Sequence, residues 1–332
     1  MHSTPLVVTP GEPAGIGAEI TLKAWKSGRT GLFFLLDDPN RVAERAKLAG
    51  LNIPLKTINC PSETKECFPN ALPILPHYFP VECAPGKPST DNAPSIIKAI
   101  DIAVKFIDQG FAYGVVTNPI QKYTLRESGF KYAGHTEYLA NLAGGEIMPV
   151  MLLISSELRV VPVTIHEPIS RIANLLTTDL VVKVCLITAK SLQEDFGIHN
   201  PKIWIAGLNP HAGENGTIGL EEKISIAPAI KVLKKHGLNV SGPYPADSMF
   251  HKAARDNYDV AICMYHDQAL IPLKTLDFWG GVNMTAGLPF VRTSPDHGTA
   301  LDLAGTGKAN PESLINAICL AREISTSRHQ FT

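Results

Sequence analysis

Three histidines each follow an apolar, strand-like run in this chain. His166 closes Leu158–Ile165, His211 follows Lys202–Pro210, and His266 ends Asp259–Tyr265. In an open α/β sheet, ligands bind outside the carboxyl ends of the strands. Imidazole nitrogen is a good ligand for Zn²⁺ and its neighbours, and three protein ligands leave a coordination position open for substrate. Any one such histidine alone reads sooner as a strand-end residue with an ordinary hydrogen bond. Three in the same role predict a shared divalent metal. Asp247 and Asp267 are carboxylates that would complete or orient its shell, or else cap a helix.

A second set of residues would hold an anion. Lys274, Asn283 and Arg292 fall within one glycine-rich region, Tyr265–Thr293. Arginine suits bidentate recognition of phosphate or carboxylate, and lysine acts as a point charge. Gly134-His135-Thr136-Glu137 precedes an apolar helical stretch. Thr136 there reads as an N-cap, or the helix start reads as an anion seat to which His135 adds a donor. Lys122 lies just past another strand end, and its role stays open. Near the N-terminus, Gly11, Gly15 and Gly17 form a strand-to-helix turn in Thr9–Ile20. Their spacing is not the dinucleotide fingerprint, so Asp37-Asp38 is a weak candidate for a ribose-binding acid.

Positioning these groups requires strands that alternate with helices, which is the pattern of a mostly parallel α/β sheet. The strands read from the sequence are 6–8, 32–36, 112–117, 150–154, 160–165, 203–207 and 260–265. The helices are 18–25, 40–48, 93–108, 178–196, 224–236 and 311–324. The fourth helix is predicted from 178 to 196, with an N-cap at Thr178-Asp179 and a stop at Gly197. Residues 60–94 carry eight prolines with little periodicity and read as an extended surface connection.

Composition narrows the function classes. The chain has 332 residues, 45% hydrophobic and 18% charged, with a formal net charge of -1. That is ample for a large core and offers no basic field for nucleic acid. Six cysteines without a Cys-x-x-Cys pair read as free thiols in a reducing compartment. The first residues show no signal peptide, and no stretch reads as a membrane span. A cytoplasmic protein without a membrane partner is expected.

With these residues assembled, the chain resembles the 4-hydroxythreonine-4-phosphate dehydrogenases of pyridoxal phosphate biosynthesis. The resemblance is carried by Thr9–Gly17, Gly134–Glu137, Gly207–Glu214, Met264–Gln268 and Gly287–Thr293. It runs nearly end to end and is least evident in 60–94. A wider similarity links Asp296–Pro311 to the nucleotide-binding segment of isocitrate and isopropylmalate dehydrogenases, and Pro10–Ile20 to their N-terminal glycine turn.

The resemblance implies two α/β/α lobes around a cleft. Residues 1–120 with 275–332 would form a nucleotide-binding lobe, and 121–274 a metal-binding and dimerisation lobe. It implies His166, His211 and His266 as metal ligands, with zinc favoured over magnesium or cobalt. His135, Thr136, Lys274, Asn283 and Arg292 would bind a phosphorylated small substrate. Gly11, Gly15, Gly17, His297, Gly298 and Asn310 would hold NAD or NADP. Asp247 and Asp267 would serve as base or orienting groups. A homodimer with its active site at the subunit interface is implied. Glu167, after the first ligand, departs from the apolar residue expected there. The implied reaction oxidises 4-phosphohydroxy-L-threonine, and the product decarboxylates to 3-amino-2-oxopropyl phosphate. A dehydrogenase of threonate 4-phosphate and a zinc phosphoester hydrolase remain open as alternatives.

Overall fold

The computed structural model describes residues 4–144 and 147–331. Its strands are β1 (Leu6–Thr9), β2 (Phe33–Asp37), β3 (Leu55–Thr57), β4 (Leu72–Pro76), β5 (Gly114–Thr117), β6 (Val150–Ile154), β7 (Arg159–Pro162), β8 (Ile203–Ala206), β9 (Val240–Tyr244), β10 (Val260–Cys263), β11 (Val282–Ala286) and β12 (Val291–Pro295). The chain divides into two compact units, one running to Pro149 and resuming over Leu288–Gln330, the other Val150–Gly287.

In the first unit the strand order is β3-β4-β2-β1-β5-β12, with every pair parallel. β1 and β2 are buried at every position. Their apolar runs, Leu6–Val8 and Phe33–Leu36, are what a parallel sheet needs when helices cover both faces. The helix Ala93–Asp108 buries Ile96, Ala99, Ile100, Ala103 and Val104, a three-to-four residue stripe. Each of the larger side chains contributes about 1.5–3 kcal/mol. The stripe packs with Val7, Phe34, Val115, Leu139 and Phe290.

In the second unit the order is β11-β6-β7-β10-β8-β9. β11 and β7 run antiparallel to β6, and β7, β10, β8 and β9 are mutually parallel. Leu153, Val160, Ala261, Cys263 and Leu273 lie in its core. The helix Thr178–Phe196 is capped by Thr177, one residue before the expected cap, because the Thr177 Oγ1 accepts the Leu180 N–H at 3.2 Å. It ends at Gly197, whose φ of 66° is left-handed.

The compact units run differently from the expected lobes. Residues 122–142 stay with the first unit because Leu125 packs on Ala93 and Ile96, and Tyr138 and Leu139 join the Ile100 cluster. Residues 275–287 stay with the second because β11 pairs along β6. The proline-rich segment also differs from a plain surface connection. It contains β4, seated between β3 and β2, with Leu72 and Ile74 fully buried. Among the described residues, no single helix is long and apolar enough to cross a membrane.

Candidate active site

Four parallel strands of the second unit deliver the predicted metal-site residues to one sheet edge. The register aligns Pro162 with Cys263, Ile262 with Ile205, and Ala206 with Tyr244. His166 lies four residues past β7, His266 three past β10, His211 five past β8 and Asp247 three past β9. Neighbouring strands are about 4.8 Å apart. β7 ends at Pro162, earlier than expected, yet the chain stays tied to β10. Val163 N–H donates to the Cys263 carbonyl at 2.8 Å, and Thr164 donates to Met264 O through both N–H and Oγ1.

His266 opens the helix His266–Leu276, and its Nδ1 donates to Asp267 Oδ1 at 2.7 Å. That pairing fixes the ring and leaves Nε2 as the outward ligand atom, the usual arrangement for a metal-binding imidazole. The His166 and His266 rings lie 6.0 Å apart between centroids. With metal–nitrogen bonds of about 2.0–2.1 Å, one cation suits both. Gln268, quoted in a motif but given no role, locks this edge. Its Oε1 accepts the Met264 N–H at 2.6 Å and its Nε2 donates to Gly207 O at 2.9 Å.

His211 is held in an unusual way. It begins a run of left-handed residues, with φ of 54° at His211, 50° at Ala212, 77° at Gly213, 43° at Glu214 and 55° at Asn215. Each non-glycine residue in that conformation costs about 1–2 kcal/mol. Strain of this kind persists only when the surroundings over-determine it. Glu222, 4% exposed, supplies part of that constraint by accepting the N–H groups of Leu208 and Asn209, each at 2.8 Å. Sequence reading missed Glu222, because its burial and its backbone partners appear only in the fold. Asp247 sits exposed on the turn Ala246–Ser248, which packs against the His211 turn.

The donor chemistry and strand order suit one cation, but the side chains as they stand do not close around it. Among the described residues, no group of three or more His, Cys, Asp or Glu side chains is gathered tightly enough to hold a metal. Lys274 lies in the last turn of the helix His266–Leu276, its ammonium 5.5 Å from the centre of the Phe278 ring. Asn283 is half-buried on β11, opposite Leu153.

The first unit gathers cations around His135. Arg292, on β12 and 3% exposed, donates through Nη2 to Thr117 Oγ1 at 2.8 Å. Burial pushes its guanidinium down to about 10, opposed by the charge of Glu137. His135 and Thr136 begin the helix His135–Leu142, whose N-cap is Gly134 instead of Thr136. A β-carbon on Gly134 would lie 3.5 Å from Lys122 Cε, so the lysine stem crosses the helix start. His135 is half-buried as a residue, but its Nε2 is closed off from solvent and has no hydrogen-bond partner. Burial, then the charges of Arg292 and Lys122, hold the imidazole well below its ordinary range. The ring is therefore neutral beside two cations, an environment that favours an anion.

The predicted nucleotide segments are also in the first unit. Gly11, Gly15 and Gly17 are spent on packing loop against loop. Their β-carbons would meet Pro119 O at 2.5 Å, Thr299 O at 2.9 Å and Pro10 O at 2.6 Å. A β-carbon on Gly298 would meet nothing within 4 Å, so this is where a ligand has room to approach the backbone. His297 Nδ1 bonds to Gly298 O at 2.9 Å, and Asn310 Oδ1 accepts the Glu312 N–H at 2.9 Å. The Asp37-Asp38 reading fails. Asp37 is fully buried and paired with Arg41, and Asp38 caps the next helix.

Comparison with known proteins shows the family to which the chain belongs. Residues 31–321 match the model of the pyridoxal phosphate biosynthetic protein PdxA family. The 4-hydroxythreonine-4-phosphate dehydrogenase of Caulobacter vibrioides is 47% identical over 337 residues, covering 99% of each chain. The crystal structure of the Klebsiella pneumoniae 4-hydroxythreonine-4-phosphate dehydrogenase superposes with a TM-score of 0.84 at 34% identity, over 97% of this chain and 99% of that one. A terephthalate 1,2-cis-dihydrodiol dehydrogenase from Burkholderia xenovorans superposes with a TM-score of 0.64 at 27% identity, over 96% and 98%. The chain belongs to the PdxA family of pyridoxal phosphate biosynthetic proteins.

Proposed function

We propose that this chain oxidises 4-phosphohydroxy-L-threonine, using NAD or NADP and a divalent metal, in the biosynthesis of pyridoxal phosphate. One observation carries the reading furthest: His166, His266 and His211 leave the carboxyl ends of three adjacent parallel strands. When bound, the metal (zinc before magnesium or cobalt) would acidify the substrate's C3 hydroxyl, and the nicotinamide would take the hydride from C3.

The chain's own residues do the rest. Asp247, exposed beside the His211 turn, receives the hydroxyl proton, while Asp267 orients the His266 ring. His135, Thr136 and Arg292 bind the substrate's anionic groups, as do Lys274 and Asn283. His297, Gly298 and Asn310 hold the nucleotide, and Gly11, Gly15 and Gly17 shape the loop beside it. Loss of hydride from C3 and of the proton from its oxygen gives 2-amino-3-oxo-4-phosphooxybutanoate. Its carboxylate lies β to the new ketone, so CO₂ leaves as the electron pair delocalises onto the carbonyl oxygen. Protonation of that enolate gives 3-amino-2-oxopropyl phosphate.

A homodimer is part of the proposal. The exposed side chains of Ile224, Ile271, Phe278 and Trp279 supply apolar surface that a second copy would cover. Free thiols at all six cysteines support a cytoplasmic setting.

The test is nicotinamide reduction followed by absorbance, with 4-phosphohydroxy-L-threonine and threonate 4-phosphate side by side, before and after metal stripping. Preference for the amino acid phosphate with loss of turnover on stripping is expected. Preference for threonate 4-phosphate would move the protein to sugar-acid chemistry. No reduction with either, with release of inorganic phosphate instead, would favour the hydrolase.

A further inference from the structure

We propose that Glu19 and Lys23 are positioning residues for the nicotinamide nucleotide, acting through the loop backbone from Gly305 to Ala309. The inference rests on the nucleotide reading given above. The two residues sit one turn apart on the helix Gly17–Lys26. An acid and a base at that spacing ordinarily face each other along the helix surface. Here both reach the same loop. Glu19 is fully buried, and its carboxylate accepts the Gly305 N–H and, at 3.1 Å, the Gly307 N–H. Lys23 Nζ donates to the carbonyls of Gly307 and Ala309, each at 2.7 Å. Gly307 is thereby gripped at both its N–H and its C=O.

The loop needs such a grip. Gly305 and Gly307 have φ of 79° and 70°, and glycine gives up more freedom on ordering than any other residue. From the other side the loop is pressed against protein. A β-carbon on Gly307 would fall 2.8 Å from Ala49 O, and one on Gly305 would fall 3.1 Å from Pro85. The same helix starts where the glycine turn ends, and Ile16 N–H bonds to Thr299 O at 3.1 Å. One helix thus ties together both segments assigned to the nucleotide. A buried carboxylate whose N–H donors swing away would be left unpaired, which is costly. The loop is therefore held in place before the ligand arrives, and such preorganisation raises affinity.

The experiment measures NADH and NADPH binding by nicotinamide fluorescence in the metal-free, full-length protein. It compares Glu19→Gln and Lys23→Met with Gly298→Leu, which fills the open space at the assigned site. Losing one charge-assisted bond corresponds to about a tenfold loss of affinity. Glu19→Gln and Lys23→Met are each expected to raise the nucleotide Kd about that much. The KM for the phosphorylated substrate should stay within about twofold, and kcat at saturating nucleotide should be retained. Lys23 is half-buried, so its variant keeps the test open if Glu19→Gln folds poorly. Unchanged Kd in Lys23→Met, with Gly298→Leu impaired, would overturn the positioning role and leave the site reading intact. Equal losses of nucleotide and substrate binding would also overturn it, as a general structural effect. Unchanged binding in Gly298→Leu would remove the site reading, and the inference with it.

Discussion

Glu222 holds Asn209 at two points, accepting its backbone N–H at 2.8 Å and its side-chain amide at 3.0 Å. Two residues later the chain enters the left-handed turn that presents His211. A carboxylate buried under the strand end thus opposes the strain of the segment carrying a proposed metal ligand.

Glu222→Ala should therefore destabilise the protein. Two backbone donors, on Leu208 and Asn209, would lose their acceptor, at about 1–3 kcal/mol each when buried. A loss of about 3 kcal/mol by urea unfolding is expected, with Glu222→Gln costing about 1 kcal/mol. A midpoint within error of wild type for Glu222→Ala would mean that the turn holds itself.

Glycines in the two segments proposed to hold the nucleotide should respond in opposite ways. Gly11 has a φ of 68°, and its β-carbon would sit 2.5 Å from a backbone carbonyl. Gly11→Ala should cost about 2 kcal/mol or more, through both strain and clash. Gly298→Ala should leave stability within about 0.5 kcal/mol, since its β-carbon enters open space. Thermal unfolding of both variants decides the matter. A large loss in Gly298→Ala would mean that the segment is packed against something and is not open to a ligand.

Much of this arrangement was legible in the residues. A fully buried strand such as β6 announces itself as an unbroken apolar run, and the helices Ala93–Asp108 and Thr178–Phe196 begin and end where periodicity and glycine place them. β4 was not legible, because Pro73 and Pro76 mask a strand whose burial depends on β2 and β3 closing on either side. The three histidines were visible from their strand-end positions. What holds them was not. Glu222 and Gln268 act on backbone groups distant in sequence, and no local pattern marks a carboxylate or amide for that task. The glycine turn left packing and ligand approach both open, because spacing alone does not distinguish space left for a ligand from space filled by another loop.

Acid should destabilise the first unit through His135. Its folded-state pKa lies well below the ordinary 6.5, owing first to burial and then to Arg292 and Lys122. The unfolded chain therefore binds the proton more readily than the folded one between those two values. This contribution to stability is fully present above about pH 6.5 and is lost as pH falls through the depressed pKa. His135→Gln, which cannot titrate, should show a shallower loss of urea midpoint between pH 7 and pH 5. Parallel profiles for the two proteins would mean that the ring protonates freely in the folded state.

Arg292 should govern affinity for the phosphorylated substrate more than turnover. Its guanidinium is buried and anchored by Thr117, so the fork is oriented before an anion arrives. Removing one partner of a buried charge pair costs about 2–5 kcal/mol, so Arg292→Met should raise substrate KM about a hundredfold or more. Arg292→Lys keeps a point charge without the fork and should fall between, near tenfold. Nucleotide Kd should not move in either variant. Because burial brings Arg292 down to about 10, the free enzyme should lose substrate affinity as pH approaches that value, with protonated Arg292 as the binding form. Bound dianion favours the charged guanidinium, so saturating substrate should shift the alkaline limb upward. Steady-state profiles of kcat/KM and kcat separate the two, since the first reports the free enzyme and the second the complex. An unchanged KM in Arg292→Met would show that the substrate's anionic groups are bound elsewhere.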